Sequence, residues 1–217
     1  MSDLHALFER AHDLMDQSSG GSNLEAAAEA MRAAADSGHA GAANNYGAML
    51  QYGRGVAVDM ARARKYYEMA SISGLPEGQF NLGFMWLSGL GGDRNPEIAR
   101  DLFCDAAEGG DIDALTHLGR MAMLGEGGPQ DFSAARNYWE KGVRLGDHRC
   151  AFNLGVANAG GHGKPPDFVQ AYVYFFMAKA LGSDQADAEL AKLKAVINKD
   201  ERAAAEVMIA NIGNTLN

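Results

Sequence analysis

Glycines recur along this chain at an interval of 36 residues, and this regularity constrains the fold more than any other feature. One series runs through Gly38, Gly74, Gly110, Gly146 and Gly182. Three further series keep the interval and comprise Gly47, Gly83, Gly119 and Gly155; Gly53, Gly89, Gly125 and Gly161; and Gly55, Gly91, Gly127 and Gly163. A repeat of this length is typical of supersecondary units that stack, because one unit alone cannot bury its apolar face.

The interval also sets the expected boundaries. We predict a single repeat domain over residues 1–217, with units at 42–77, 78–113, 114–149 and 150–185. Residues 1–41 match the pattern only in their second half, which suits a degenerate N-terminal capping repeat. Residues 186–217 leave the pattern but still have a helical character, so we expect a C-terminal helical cap there.

Each unit is predicted to form two helices joined by a glycine-rich turn. An aspartate or asparagine recurs where the second helix should begin, in the series Asn23, Asp59, Asn95, Asp131 and Asp167. Such a side chain caps a helix by accepting a hydrogen bond from an N–H of the first turn. Pro96 follows Asn95 as the favoured first helical residue, and Gln170 stands three residues after Asp167, as in a capping box. Gly53, Gly74 and their equivalents suit the left-handed residues that end the two helices. The chain is therefore expected to be all-α.

The glycines of the Gly47 series lie inside the predicted first helices, where glycine costs about 1 kcal/mol relative to alanine. Their regular return requires a compensating reason. We expect a close approach of two helices, with these glycines facing the equally regular series Ala63, Ala99, Ala135 and Ala171.

Composition and charge exclude several classes of partner. The net charge is -9 and the pI about 5.1, so the chain should repel nucleic acid and anionic lipid. No apolar run approaches the roughly 18 residues that a membrane span needs, and the first residues do not resemble a secretory signal. The only cysteines are Cys104 and Cys150, too few for a disulfide scaffold. A cytoplasmic location is expected.

The residue types that carry catalysis do not form a recognisable pattern. The glycine-rich turns lack the preceding strand and the Lys-Ser/Thr pair of a phosphate-binding loop. The histidines do not have the spacing of a metal site, and no nucleophile elbow occurs. His162 is expected in a solvated turn, and both cysteines are expected to be small apolar fillers. The sequence therefore predicts no enzyme activity, no cofactor and no metal.

Two of the units show the repeat most clearly: NYGAMLQYGRGVAVDMARARKYYEMASISG from Asn45 and HLGRMAMLGEGGPQDFSAARNYWEKGVRLG from His117. This pattern resembles the Sel-one-like repeat (SLR) family, a relative of tetratricopeptide repeats, over about residues 22–186. The resemblance implies a right-handed α-solenoid of antiparallel helix pairs, with the first helices on the concave side. It also implies adaptor or scaffold roles in protein complexes, often in bacteria.

By analogy with tetratricopeptide geometry, the first helices should present a groove that binds a protein or peptide. The residues expected to line this groove are Asn45, Phe80, Asn81, Phe84, Leu87, His117, Arg120, Arg149, Phe152 and Asn153. Thr116 takes the position of Phe80 and Phe152 in its own unit. Apolar anchors around Phe84 and Leu87 would bury area, and Arg120 and Arg149 would pair with ligand carboxylates.

Two alternatives apply to single residues of this groove. The phenylalanines at helical spacing also suit packing between neighbouring units. The Asn45, Asn81, Asn153 series suits either a bound peptide backbone or hydrogen bonds between adjacent units.

Two alternatives concern the whole chain. One branch of the resembling family is rich in disulfides and linked to penicillin binding or β-lactamase activity, which would make the chain a cell-wall or β-lactam-related enzyme. This chain lacks the paired cysteines of that branch. The second alternative is a self-associating structural protein, but the divergent tail 186–217 resembles a cap that prevents end-to-end stacking. A monomer is therefore expected.

Overall fold

A computed structural model describes residues 2–16 and 21–215 of the chain. Within these ranges the secondary structure consists of twelve α-helices and no strand. The helices are α1 (Ser2–Asp16), α2 (Gly21–Asp36), α3 (Ala40–Tyr52), α4 (Met60–Ile72), α5 (Pro76–Ser88), α6 (Pro96–Glu108), α7 (Ile112–Leu124), α8 (Phe132–Arg144), α9 (His148–Ala159), α10 (Phe168–Ala180), α11 (Ala186–Val196) and α12 (Lys199–Thr215). The predicted all-α fold of helix pairs is confirmed.

The predicted caps are confirmed at the four second helices α4, α6, α8 and α10, whereas the predicted cap at Asn23 is wrong, because α2 already begins at Gly21 and Asn23 lies inside it. Asp59 precedes α4 and accepts a hydrogen bond from the backbone N–H of Arg62 at 3.0 Å. Asn95, Asp131 and Asp167 do the same for α6, α8 and α10. The capping box at α10 is only half formed, because the Gln170 side chain lies 4.0 Å from the sulfur of Met208 and does not return to Asp167.

The glycine-rich turns pack against the preceding helix pair. Gly91 follows α5 with a φ of +72°, a conformation that side chains disfavour. A Cβ at Gly91 would collide with the backbone carbonyl of Met60, at the start of α4. The absence of a side chain at this glycine therefore has two effects. It permits the left-handed backbone conformation, and it allows the turn to contact the preceding helix pair.

Residues 1–114 form one compact unit. In this unit α1 packs on α2, α3 on α4 and α5 on α6, and each pair packs on the next through α2 with α3 and α4 with α5. The core of this unit contains the buried side chains of Met31, Tyr46, Met49, Leu50, Tyr67, Leu82 and Met85.

Residues 115–217 form a second compact unit, in which α10 is the central helix. It packs on α9, α11 and α12. A core cluster that includes Tyr172, Phe175, Leu190 and Leu193 joins α10 to α11, and Ala205 brings α12 against it. Trp139, Cys150 and Leu154 form the cluster between α8 and α9.

The mid-helix glycines mark close approaches, as expected, and the alanine series takes part through its backbone, but the closest contact is an aromatic ring of the second helix. A Cβ at Gly47 would lie 2.9 Å from the ring of Tyr67, and one at Gly155 would lie 2.6 Å from the ring of Phe175. The nearest atom of Ala63 to Gly47 is its backbone oxygen, at 3.3 Å. The ring fills the space that a side chain on the first helix would occupy.

An arginine series that the sequence interpretation missed joins successive helix pairs. Arg64 on α4 lies over the ring of Trp86, 3.4 Å from its centroid, and donates to the carbonyl of Asp93. Arg136 on α8 donates to the side-chain oxygen of Asn158 at 3.2 Å and to the carbonyl of His162 at 2.7 Å. This series could have been recognised in the sequence, because Arg64, Arg100 and Arg136 are 36 residues apart. His162 lies in a turn, as predicted, but it stacks on Phe132 and is half-buried, so it is less solvated than the sequence suggests.

Arg136→Met is expected to lower the free energy of unfolding by about 1 to 2 kcal/mol, because it leaves the oxygen of a buried Asn158 without its donor. Arg100→Met is the matched control at the same repeat position. Arg100 forms an ion pair with the exposed Asp101, 3.6 Å away, and should contribute little. Urea unfolding of both variants measures the difference, and equal losses would contradict the role of Arg136.

Candidate functional site

Two asparagines of the expected groove join neighbouring helices. The amide nitrogen of Asn45 on α3 lies 3.4 Å from Nε2 of His12 on α1. Asn81 on α5 donates to the side-chain oxygen of Asn44 on α3 at 2.8 Å. These contacts support the structural alternative for both residues, since each amide already bonds within the fold.

The apolar groove residues that belong to the compact unit 1–114 differ in solvent accessibility. Phe80 and Phe84 are half-buried, and the ring of Phe80 lies 5.5 Å from that of Phe103. Leu87 is only 5% exposed. The structure places Leu87 in the interior of the fold, where it has little surface to offer a ligand.

The second unit contains a cavity of about 650 Å³ beside α9. We name it the α9 cavity. It is lined by Thr116, His148, Arg149, Phe152, Asn153, Gly182, Ser183, Asp184 and Gln185. These residues come from α7, from α9 and from the turn before α11. The cavity therefore brings together Arg149, Phe152 and Asn153 of the predicted groove.

Phe152 and Asn153 give the cavity an apolar wall and an amide. The Phe152 ring packs edge-on against Phe175, with centroids 5.3 Å apart and an interplanar angle of 62°. This contact fixes one side of the ring and leaves the half-buried remainder to the cavity. Among the described residues none hydrogen-bonds the Asn153 side chain, in contrast to Asn45 and Asn81. Its donor and acceptor are available to a ligand.

Arg149 is held in place by the residue that caps α9. Asp147 accepts from the backbone N–H groups of Arg149 and Cys150, and its carboxylate pairs with the Arg149 guanidinium at 2.5 Å. Burial of Asp147 opposes its ionisation, but the hydrogen bonds from the Arg149 side chain and from the two backbone N–H groups outweigh burial, so the pKa of Asp147 is lowered. Arg149 thus enters the cavity wall oriented and already paired with one carboxylate.

Residues His117 and Arg120 lie on α7 outside the cavity lining, which takes Thr116 from that helix. His117 is half-buried and Arg120 is exposed. Within the described part of the chain no carboxylate pairs with Arg120. Arg120 remains a predicted contact residue on the second unit.

The sequence interpretation missed the turn residues of the cavity. Ser183, Asp184 and Gln185 precede α11 and line it, together with His148 at the start of α9. A usable signal was present, because Asp111, Asp147 and Ser183 keep the interval of 36 residues; Asp111 and Asp147 stand directly before α7 and α9, and Ser183 stands three residues before α11.

The described residues were also compared with the requirements of a metal site, a disulfide and a membrane span. His, Cys, Asp and Glu side chains do not gather there into a group that could hold a metal ion. Cys104 and Cys150 are not in a disulfide, and the Cys150 sulfur lies 3.2 Å from the hydroxyl of Thr116. Of the helices described, none has the length and apolar content to cross a membrane.

Repeated helix pairs of constant length, regularly capped and packed through mid-helix glycines, define a helical repeat protein of the tetratricopeptide-like class. The Sel1 repeat matches residues 40–75, 76–111, 112–147 and 148–183. These matches begin at the first residues of α3, α5, α7 and α9. The chain therefore belongs to the Sel1 repeat family.

Similar proteins are known from several organisms. The chain is 32% identical over 108 residues to sel-1 homolog 2 of Rattus norvegicus, a match that covers 50% of this chain and 16% of that protein. A protective antigen of uropathogenic Escherichia coli with an SLR fold superposes with a TM-score of 0.81 and 25% identity, covering 97% of this chain and 46% of the antigen. A Sel1 repeat protein from Oxalobacter formigenes gives 0.70 and 27%, covering 75% of this chain and 67% of that one. These structures share the SLR solenoid fold with this chain.

Proposed function

We propose that this chain is a non-enzymatic protein-binding module, of the adaptor or scaffold type, that binds a peptide segment in the α9 cavity. The observation that carries the proposal is the side chain of Asn153, which lines a cavity of about 650 Å³ and has no hydrogen bond to another described residue. This volume falls within the roughly 300 to 1,000 Å³ of common ligand sites. The repeat scaffold supports the proposal, since Sel1 repeats typically serve as protein-interaction scaffolds.

The lining residues indicate the chemistry of the segment. The Asn153 amide can donate to and accept from one peptide unit of an extended backbone. Phe152 offers an apolar contact beside it, and the guanidinium of Arg149 favours an acidic side chain. Asp184 on the opposite turn adds a carboxylate, so a segment of mixed charge with one apolar residue fits best.

The chain spans 16% of the length of sel-1 homolog 2 and 46% of the Escherichia coli antigen, and its own lining residues are what support the proposed partner. The bacterial origin and the cytoplasmic location expected from the sequence remain predictions.

A photo-crosslinking amino acid in place of Asn153 tests the proposal in lysate of the source cells. The control carries the same group at Asn137, an exposed asparagine on α8 outside the cavity. We expect a protein crosslinked at position 153 and not at 137. Binding of the protein so identified should weaken about tenfold with Asn153→Ala, because loss of a hydrogen-bonded amide costs about 1 to 2 kcal/mol. Asn137→Ala should bind unchanged. Equal crosslinking at both positions, or none at 153, would contradict the proposal.

A further inference from the structure

A second, apolar groove lies in the same unit, among α8, α10 and α12. Its volume is about 450 Å³, and Val173, Tyr174 and Met177 of α10 form its floor. Val143 of α8 stands on one side and Met208 of α12 on the other. Glu140, Arg144, Gln170 and Asn211 complete the rim. The lining residues differ entirely from those of the α9 cavity, so this groove is an independent feature.

Helix α12 carries apolar residues on two sides. Ala205 is buried in the cluster with α10, and Ile209 packs against the same cluster. Val207 faces away from it and is 61% exposed, and Met208, which is 37% exposed, stands at the groove with its sulfur 4.0 Å from the Gln170 amide. A helix with one covered face normally has polar residues on the opposite face, whereas exposed apolar residues beside an apolar groove indicate a contact surface. The unit therefore presents an apolar ridge and an apolar groove next to each other.

The charges that flank the groove and the ridge match each other. Glu140 and Arg144 are four residues apart on α8, and Arg202 and Glu206 are four residues apart on α12 in the opposite order of sign. Four residues correspond to about 6 Å along a helix in both cases. A copy of α12 beside α8 in the same direction would place Arg202 opposite Glu140 and Glu206 opposite Arg144. Within the described residues, Glu140 and Arg144 have no ion pair of their own, while Arg202 and Glu206 form an exposed pair with each other at 3.1 Å, which the dimer would exchange for the two pairs between copies.

We propose that the groove binds α12 of a second copy of this chain, so that the protein forms a two-fold symmetric homodimer. In such a dimer each contact occurs twice, because the surface that contributes the ridge also contributes the groove. Val207 of each copy packs on Val143, Tyr174 and Met177 of the other, and the two charge pairs fix the register. This side-to-side contact replaces the monomer expected from the sequence, where the tail was considered only as a block to end-to-end stacking.

Light scattering of the 217-residue chain over a wide concentration range tests the proposal directly. The expected result is a concentration-dependent rise from the 23.1 kDa of one chain to twice that mass. Val207→Asp should raise the dimer dissociation constant at least about tenfold, since it places a charge in an apolar contact. Val196→Asp is the matched control, because Val196 ends α11, is also 61% exposed and does not line the groove. A wild type that remains monomeric, or a dimer that persists in Val207→Asp, overturns the proposal.

A charge exchange tests the choice of a second copy as the occupant. Arg144→Glu and Glu206→Arg should each weaken the dimer, since each places like charges opposite one another. The double variant Arg144→Glu, Glu206→Arg restores opposite charges and should recover the dimer. Circular dichroism confirms that each variant keeps its helicity. A double variant no better than the single ones overturns the pairing of α8 with α12 of the partner.

Discussion

Gly119→Leu is expected to lower the free energy of unfolding by about 3 kcal/mol, the upper end of the usual cost of overpacking. Gly119 lies inside α7, and a Cβ there would collide with the indole ring of Trp139. Trp139 cannot move aside readily, because it is 1% exposed and its Nε1 donates to the carbonyl of Thr116 at 3.3 Å. For a chain of this size the melting temperature should fall by roughly 6 to 12 °C. Thermal unfolding followed by circular dichroism gives the measurement.

Two alanine variants separate packing from helix propensity. Replacing a mid-helix glycine by alanine gains about 1 kcal/mol of helix propensity wherever the Cβ has room. Gly41, the second residue of α3, tests the space alone: its Cβ would lie 3.4 Å from the nearest side-chain atom, on His39, and at the helix start the gain in propensity is smaller. We therefore expect Gly41→Ala to be neutral or stabilising and Gly119→Ala to be destabilising. A Gly119→Leu variant that melts no lower than the wild type would refute the packing argument.

The mid-helix glycines show which structural features a periodic sequence can predict and which it cannot. The period of 36 residues was sufficient to predict the helix pairs, their caps and the close approach at the first helices. It could not say which side chain meets Gly47, because Ala63 and Tyr67 stand four residues apart and face the same side of α4. A small residue facing a small residue was the simpler expectation. In the structure the ring of Tyr67 comes closest, at 2.9 Å from a Cβ at Gly47, while Ala63 contributes only its backbone oxygen, at 3.3 Å.

The asparagine series illustrates why the site was harder to predict than the fold. Asn81 bonds Asn44, which stands 37 residues earlier. The residue at the same distance before Asn153 is Thr116, whose hydroxyl instead lies 3.2 Å from the Cys150 sulfur. A threonine is shorter than an asparagine, so the contact between pairs is not repeated and Asn153 is left to the cavity. A periodic series thus contains both structural members and one candidate binding residue, and only the neighbours distinguish them.

Asp147→Ala is expected to cost about 2 to 3 kcal/mol, roughly twice the usual effect of removing a helix cap. Asp147 is 7% exposed and accepts from two backbone N–H groups of α9 while it pairs with Arg149. Asp131→Ala is the matched control. Asp131 also accepts from two backbone N–H groups, at the start of α8, but it is exposed and should cost only about 1 kcal/mol. Equal losses in urea unfolding would show that burial and the Arg149 pair add nothing.

The pH dependence gives Asp147 a second, independent test. Because its pKa is lowered in the folded state, its ionised form stabilises the fold. This stabilisation is complete above the ordinary aspartate pKa of about 3.9 and disappears as the pH falls through the lower value of the folded protein. The difference in unfolding free energy between wild type and Asp147→Asn should therefore be constant near neutral pH and shrink in acid below that range. Since Asp147 orients Arg149, the same variant should also weaken the peptide contact in the α9 cavity, which links the stability of α9 to the proposed site.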